Sequence, residues 1–155
     1  MDKNIQNIYQ AVINGAMNKT AALVEDAIKS GIAADVILQE GLIAPMDEIG
    51  RLFEASEIYV PEMLISARSM KYGLEVLRPY LVEADVKPLG RVVIGTVQGD
   101  LHDIGKNLVG MMMEGAGFEV IDLGVDVKAE DLIGAIKSNQ PDILALSALL
   151  TTTMG

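Results

Sequence analysis

A single histidine, His102, occurs among 155 residues, and cysteine is absent. It sits in Gln98-Gly99-Asp100-Leu101-His102-Asp103-Ile104-Gly105-Lys106. A zinc centre takes three or four protein ligands, so one imidazole without thiols cannot build one. The lack of cysteine also excludes disulfides, an iron–sulfur cluster and a thiol nucleophile. A metal already chelated by a macrocycle is a different case, because it asks the protein for only one axial ligand. A ligating imidazole usually passes its other N–H to a carboxylate, which fixes tautomer and basicity. Asp100, two residues earlier, is placed to receive it. A second cluster, Ser147-Ala148-Leu149-Leu150-Thr151-Thr152-Thr153, brings four hydroxyls together. One of them, on Thr153, is a candidate to hold Asp100.

Spacing alone favours a plainer reading. A lone loop histidine is more often a surface residue or a cap partner, Asp103 could cap a helix, and residues 151–153 could be a turn. Asp-x-His-x-x-Gly fixes only three positions. Location weighs the other way: the motif follows a strand and precedes a helix, and Ser-x-Leu stands at another strand end. A phosphate cradle is poorly supported, since Gly95, Gly99 and Gly105 do not make Gly-x-Gly-x-x-Gly and no Gly-Lys-Ser/Thr occurs. Lys106 after Gly105 is only a faint echo of one.

The elements that must position these residues change period along the chain. Up to about Ala84 the apolar spacing is helical, beginning with Ile5, Ile8, Tyr9, Val12 and Ile13. Leu23, Ala27 and Ile28 continue a second helix that stops at Gly31. Val36, Ile37 and Leu38 begin a third, and Ile43, Met46, Ile49, Leu52 and Phe53 mark another. Pro61 suits a first turn, with Met63, Leu64, Ala67, Met70, Leu74 and Leu77 behind it. Residues 1–84 are therefore expected to be a bundle of four or five short helices, with Met46, Met63 and Met70 as packing. Arg68 and Lys71 are expected in solvent. Residues 85–90 read as a linker. Beyond it, residues 91–97, 118–123 and 142–147 read as strands, and residues 103–115 and 129–138 as helices. The order β-α-β-α-β predicts a doubly wound parallel sheet with right-handed crossovers over residues 91–155. Such sheets usually have five or six strands, so the domain is expected to be truncated after the third.

Composition limits the partners. Hydrophobic residues make up 50% and aromatics 4%, which implies an aliphatic core and argues against disorder. The net charge is −10, with −5 on residues 1–88 and −5 on residues 89–155, so charge marks no boundary. That surface repels phosphate backbones and anionic membranes, so neither nucleic acid nor membrane is an expected partner. No apolar run reaches the roughly 18 residues of a membrane span. The N-terminus, Met1-Asp2-Lys3-Asn4, lacks a signal-peptide pattern, and a cytoplasmic protein is expected.

Gly99-Asp100-Leu101-His102-Asp103-Ile104-Gly105-Lys106-Asn107 resembles the cobalamin-binding motif of corrinoid methyltransferases. That family includes cobalamin-dependent methionine synthase and the corrinoid proteins of methanol, methylamine and O-demethylase systems. Ser147-x-Leu149, with Thr151 and Thr153, resembles the family's second motif, and Asp122-Leu123-Gly124 fits after the second strand. In the first half, Gly50-Arg51-Leu52-Phe53, Tyr59-Val60-Pro61 and Ser66-Ala67-Arg68-Ser69-Met70-Lys71 resemble the family's helical cap. The likeness spans nearly the whole chain. The run Thr151-Thr152-Thr153-Met154 is closer to the methanol and O-demethylase group than to methionine synthase.

The resemblance implies cobalamin or a related corrinoid as cofactor, bound base-off with His102 as the axial ligand of cobalt. Asp100 would bond His102 and Thr153 would bond Asp100, a relay able to take up a proton when the axial bond is lost. The cofactor-binding set would be Gly99, Asp100, Leu101, His102, Asp103, Ile104, Gly105, Ser147, Leu149, Thr151 and Thr153. Within it, Gly105 admits the nucleotide tail, Ser147 and Thr151 contact it, and Leu149 lines the pocket. Phe53 and Val60 would shield the methyl-bearing face, with Glu40 at the corrin edge. The family's domain continues with further strands and a Gly-rich segment, and without them tail binding would weaken. The implied function is a methyl carrier between a substrate:corrinoid methyltransferase and a corrinoid:acceptor methyltransferase with tetrahydrofolate or a thiol as acceptor, served by a reductive activase. On this expectation the chain is a carrier without a complete active site. The alternatives are an adenosylcobalamin isomerase subunit, a cobalamin-sensing regulator, and a flavodoxin-like interaction domain without cofactor. A DNA-reading regulator would need a basic face, which the charge of residues 1–88 does not offer.

Overall fold

The computed structural model describes residues 2–155; Met1, which opens the polar N-terminus, lies outside them. The chain forms two compact units, Met1–Lys87 and Pro88–Gly155. Among the described residues no helix is long and apolar enough to cross a membrane.

The first unit is helical: α1 (Lys3–Ile13), α2 (Met17–Lys29), α3 (Ala34–Val36), α4 (Ala44–Glu54) and α5 (Val60–Glu83), with a π-helical segment, Ile37–Ile43, joining α3 to α4. The apolar stripes turn inward, as their period requires. Ile5, Ile8 and Val12 of α1 are fully buried against Val24 and Ala27 of α2, Ile37 and Leu42, and Met70 and Leu77 of α5. Met46, Met63 and Met70 lie in this core, where an unbranched thioether fills irregular space. Small residues bring α5 close to its neighbours. The Ser69 hydroxyl meets that of Thr20 at 2.8 Å, and a side chain at Gly73 would come within 2.8 Å of Leu42 and 3.0 Å of Thr20.

Two features depart from the expected short helices. The third and fourth expected helices form one continuous helical run, and the last extends over 24 residues. In the first case Pro45 has no N–H to give the Gly41 carbonyl. Just ahead of it the turn widens, so that the Ala44 N–H reaches Gln39, five residues back. In the second case Pro79 costs one bond close to the helix end and does not stop it. The helix closes instead at Asp85, in the left-handed region with φ 52°, where Val86 donates to Leu81 at 2.9 Å and Asp85 to Val82 at 3.2 Å. That pair of bonds is the Schellman motif, and α1 and α2 end in the same way at Gly15 and Gly31. Arg68 is exposed, whereas Lys71 is half-buried.

The second unit alternates β1 (Arg91–Thr96), α6 (Ile104–Gly115), β2 (Glu119–Asp122), α7 (Ala129–Asn139) and β3 (Ile143–Ser147), followed by a 3₁₀ turn, Thr151–Thr153. The three strands are parallel in the order β2-β1-β3. The β-branched run Val92, Val93 and Ile94 takes the central place and is buried, as expected for a parallel strand covered on both faces. Gly95 lets the chain approach Val127 and Leu132 closely. From β1 the chain crosses to one neighbour, β2, and from β2 it crosses back over β1 to the other, β3. The strand order therefore reverses at β1, and ligands in such sheets bind beyond the carboxyl ends at this point. The carboxyl ends of β1 and β3, paired up to Thr96 and Ser147, define that place.

Candidate cofactor site at the strand ends

The loop leaving β1 and the loop leaving β3 meet at one carboxylate. Asp100 has no exposed surface, a position that an ionised group tolerates only when hydrogen bonds replace its water. Its Oδ1 accepts the His102 backbone N–H at 3.0 Å and lies 2.6 Å from His102 Nδ1. Its Oδ2 accepts the Leu149 N–H at 2.8 Å and the Thr153 hydroxyl at 3.0 Å, with the Leu150 N–H further off at 3.4 Å. The His102 amide first, then the Leu149 amide and the His102 ring, hold the carboxyl far below the usual carboxylate range, against a desolvation that pushes it up; the Thr153 hydroxyl adds to the lowering.

That ionised state fixes the imidazole. A carboxylate only accepts, so Nδ1 carries the proton and the neutral ring keeps its lone pair on Nε2. Nε2 makes no hydrogen bond to the described residues, and half of the side chain is exposed. The loop is held from beneath as well. Thr96, fully buried at the end of β1, donates its hydroxyl to the His102 carbonyl at 2.8 Å.

The loops that meet at Asp100 also carry exposed apolar side chains. Leu101, Ile104 and Leu149 are 71%, 79% and 63% exposed, and exposed apolar side chains at a strand-end site suit a ligand surface. Gly105, in the first turn of α6, has open space where a Cβ would stand. Ser147 closes β3 half-buried, and Thr151 is exposed; neither hydroxyl bonds a described residue. Asp103 occupies the N-cap of α6, but its side chain makes no capping bond. Gly99 turns the loop with φ 83°. Among the described residues no group of three or more acidic or histidine side chains converges to hold a bare metal ion. One available imidazole nitrogen on a loop with exposed apolar side chains fits an axial position on a large, mostly apolar macrocycle.

Asp100, His102, Leu149 and Thr153 are thus brought together. Phe53 on α4, Val60 at the start of α5 and Glu40 in the π-helical segment belong to the helical unit, and all three are exposed. Sequence reasoning passed over two contributors: Thr96 and Asp126. A threonine ending an otherwise apolar central strand is a signal for the first. Lys106 is no phosphate ligand by its surroundings: it is buried, with Nζ 2.7 Å from both Asp122 oxygens and 2.8 Å from Asn107 Oδ1.

Comparison with known proteins matches both units of the chain. Residues 5–78 and residues 90–155 each match a family model described as a B12 binding domain. A corrinoid protein of Desulfitobacterium hafniense is 37% identical over 153 residues, which is 97% of this chain and 71% of that protein. A trimethylamine corrinoid protein of Methanosarcina acetivorans is 41% identical over 136 residues, 86% of this chain. This chain spans 63% of that relative's length. Among solved structures, the methanol:cobalamin methyltransferase complex of Methanosarcina barkeri superposes with a TM-score of 0.89 at 32% identity, covering 99% of this chain and 59% of that one.

Proposed function

This chain belongs to the B12-binding corrinoid proteins, and on that premise we propose that it is a methyl carrier that binds its corrinoid base-off, with His102 as the axial ligand. Cobalamin or a related corrinoid is its cofactor. When bound, that cofactor supplies a cobalt centre able to accept and give up a methyl group. One observation carries the axial assignment: His102 Nδ1 faces a fully buried carboxylate at 2.6 Å, so the free ring nitrogen is Nε2.

The residues divide the work. Asp100 orients the ring. The Leu149 amide and the Thr153 hydroxyl hold Asp100 in turn, so the strength of the His102 donor depends on both strand ends. Leu101, Ile104 and Leu149 exclude water beside the ring. Gly105, Ser147 and Thr151 receive the nucleotide tail, with Gly99 and Asp103 shaping the loop. Phe53 and Val60 are suited to shield the methyl-bearing face, and Glu40 to bond at the corrin edge. A methyl donor needs activation that these residues do not supply, so the proposed partners are a substrate:corrinoid methyltransferase and a corrinoid:acceptor methyltransferase acting on tetrahydrofolate or a thiol, with a reductive activase, in the cytoplasm. The relatives, drawn from methylamine and methanol systems, support that partnership.

The test is transfer of label. The chain is loaded with hydroxocobalamin, reduced, and mixed with a methylamine or methanol methyltransferase and its isotopically labelled substrate. Label that moves with this chain through gel filtration supports the carrier role. Label that stays on the substrate with each of these methyltransferases, while the corrinoid remains bound, overturns it.

A further inference from the structure

The loop that presents His102 is gripped from a third side, by the connection between β2 and α7. Asp126 stands there with φ 52°, a left-handed conformation that is unfavourable for a non-glycine residue. It is exposed, so no core packing accounts for that conformation. Its hydrogen bonds do. The Asp126 carboxylate accepts the Gly99 N–H at 2.8 Å, and the Asp126 N–H donates to the Asp100 carbonyl at 3.0 Å. This two-way clasp closes on the two residues that precede the Leu101-His102 tip. The clasp is itself anchored: Val127 donates to Thr96 at 3.0 Å, and Thr96 donates to Gly124 at 2.9 Å, beside the parallel bridge between Val97 and Val127.

We infer that Asp126 is a positioning residue for the axial histidine. Asp100 fixes the ring through its side chain, whereas Asp126 fixes the backbone from which both Asp100 and His102 project. Without it the Gly99 amide loses its acceptor, and Gly99, with φ 83°, is the residue of the loop freest to change conformation. The inference rests on His102 as axial ligand, and its test keeps the two apart.

Two variants of the full chain separate the clasp from backbone strain. Asp126→Gly keeps the left-handed conformation without strain and removes the acceptor. Asp126→Asn keeps an acceptor oxygen and a residue tolerant of positive φ. In the cofactor-free protein, hydrogen exchange of the Gly99 amide should quicken at least tenfold in Asp126→Gly and stay near wild type in Asp126→Asn. With hydroxocobalamin, affinity should fall about tenfold in Asp126→Gly, the scale of losing a partner that orients a ligand, and recover in Asp126→Asn. After reduction to cobalt(II), the share of the paramagnetic resonance signal split by the His102 nitrogen should fall in the same variant. Exchange, affinity and splitting all unchanged in Asp126→Gly would overturn the positioning role. A wild-type spectrum without His102 splitting would overturn the axial assignment alone, and the exchange rates would then decide the clasp.

Discussion

A buried carboxylate receives its donors from two strand ends, and that concentration makes Asp100 the residue on which the site turns. Its backbone donors come from His102 and Leu149, 47 positions apart, and its hydroxyl donor from Thr153. Because the carboxyl is held below its unfolded value of about 3.9, ionisation favours the folded state. The contribution is complete above that value and is lost as pH falls through the lower folded value. The difference in urea midpoint between wild type and Asp100→Asn, measured without cofactor, should therefore persist down to about pH 5 and narrow only below about pH 4. A difference that already narrows between pH 6 and 5 would mean that the carboxyl is not held low. The pairing of Asp100 with His102 was legible in the sequence, since the two residues share a loop. Thr153 was legible as a candidate from the hydroxyl cluster that ends the third strand, although its approach depends on β3 lying beside β1. Asp126 was not legible at all: its role needs the β2–α7 connection to fold back on the β1 loop, and an Asp in a Gly-Val-Asp turn has no spacing signal.

Helix and strand ends set where these residues stand, and here the sequence was readable to a different depth. Strands announced themselves through β-branched runs, and Gly31 marked the end of α2. The joint between α3 and α4 carried no such mark, because a π-helical turn leaves the apolar stripe nearly continuous. Two glycines in the same capping role give a quantitative contrast. At Gly31, φ is +80° with nothing within 4 Å of a Cβ, whereas at Gly15, φ is +66° and a Cβ would overlap Ile65 Cγ2. Gly31→Ala should cost about 1 kcal/mol, for the left-handed conformation alone. Gly15→Ala should cost about 3 kcal/mol, since overpacking adds to it. Chemical denaturation of the two variants checks the difference, and equal costs would show that Ile65 moves aside freely.

At the scale of the whole molecule, the chain joins two units of opposite construction. The helical unit is an aliphatic and methionine core with exposed Phe53 and Val60; the sheet unit places its open imidazole where strand order reverses. The negative charge of both halves, −5 each, suits protein partners better than polyanions. Binding should show as linkage: hydroxocobalamin at about 100 times its dissociation constant adds about 2.7 kcal/mol to the stability of the state that binds it. The thermal midpoint of the sheet unit should rise accordingly, and less in His102→Ala. An equal rise in both proteins would place the binding energy elsewhere.

The central claim is that cobalt takes its lower nitrogen from the protein rather than from the cofactor. Uniformly ¹⁵N-labelled chain, loaded with unlabelled hydroxocobalamin and reduced to cobalt(II), separates the two sources in a single paramagnetic resonance spectrum. Doublet splitting, from ¹⁵N of His102, is the expected result. Triplet splitting, from the ¹⁴N of the cofactor's own base, would contradict it.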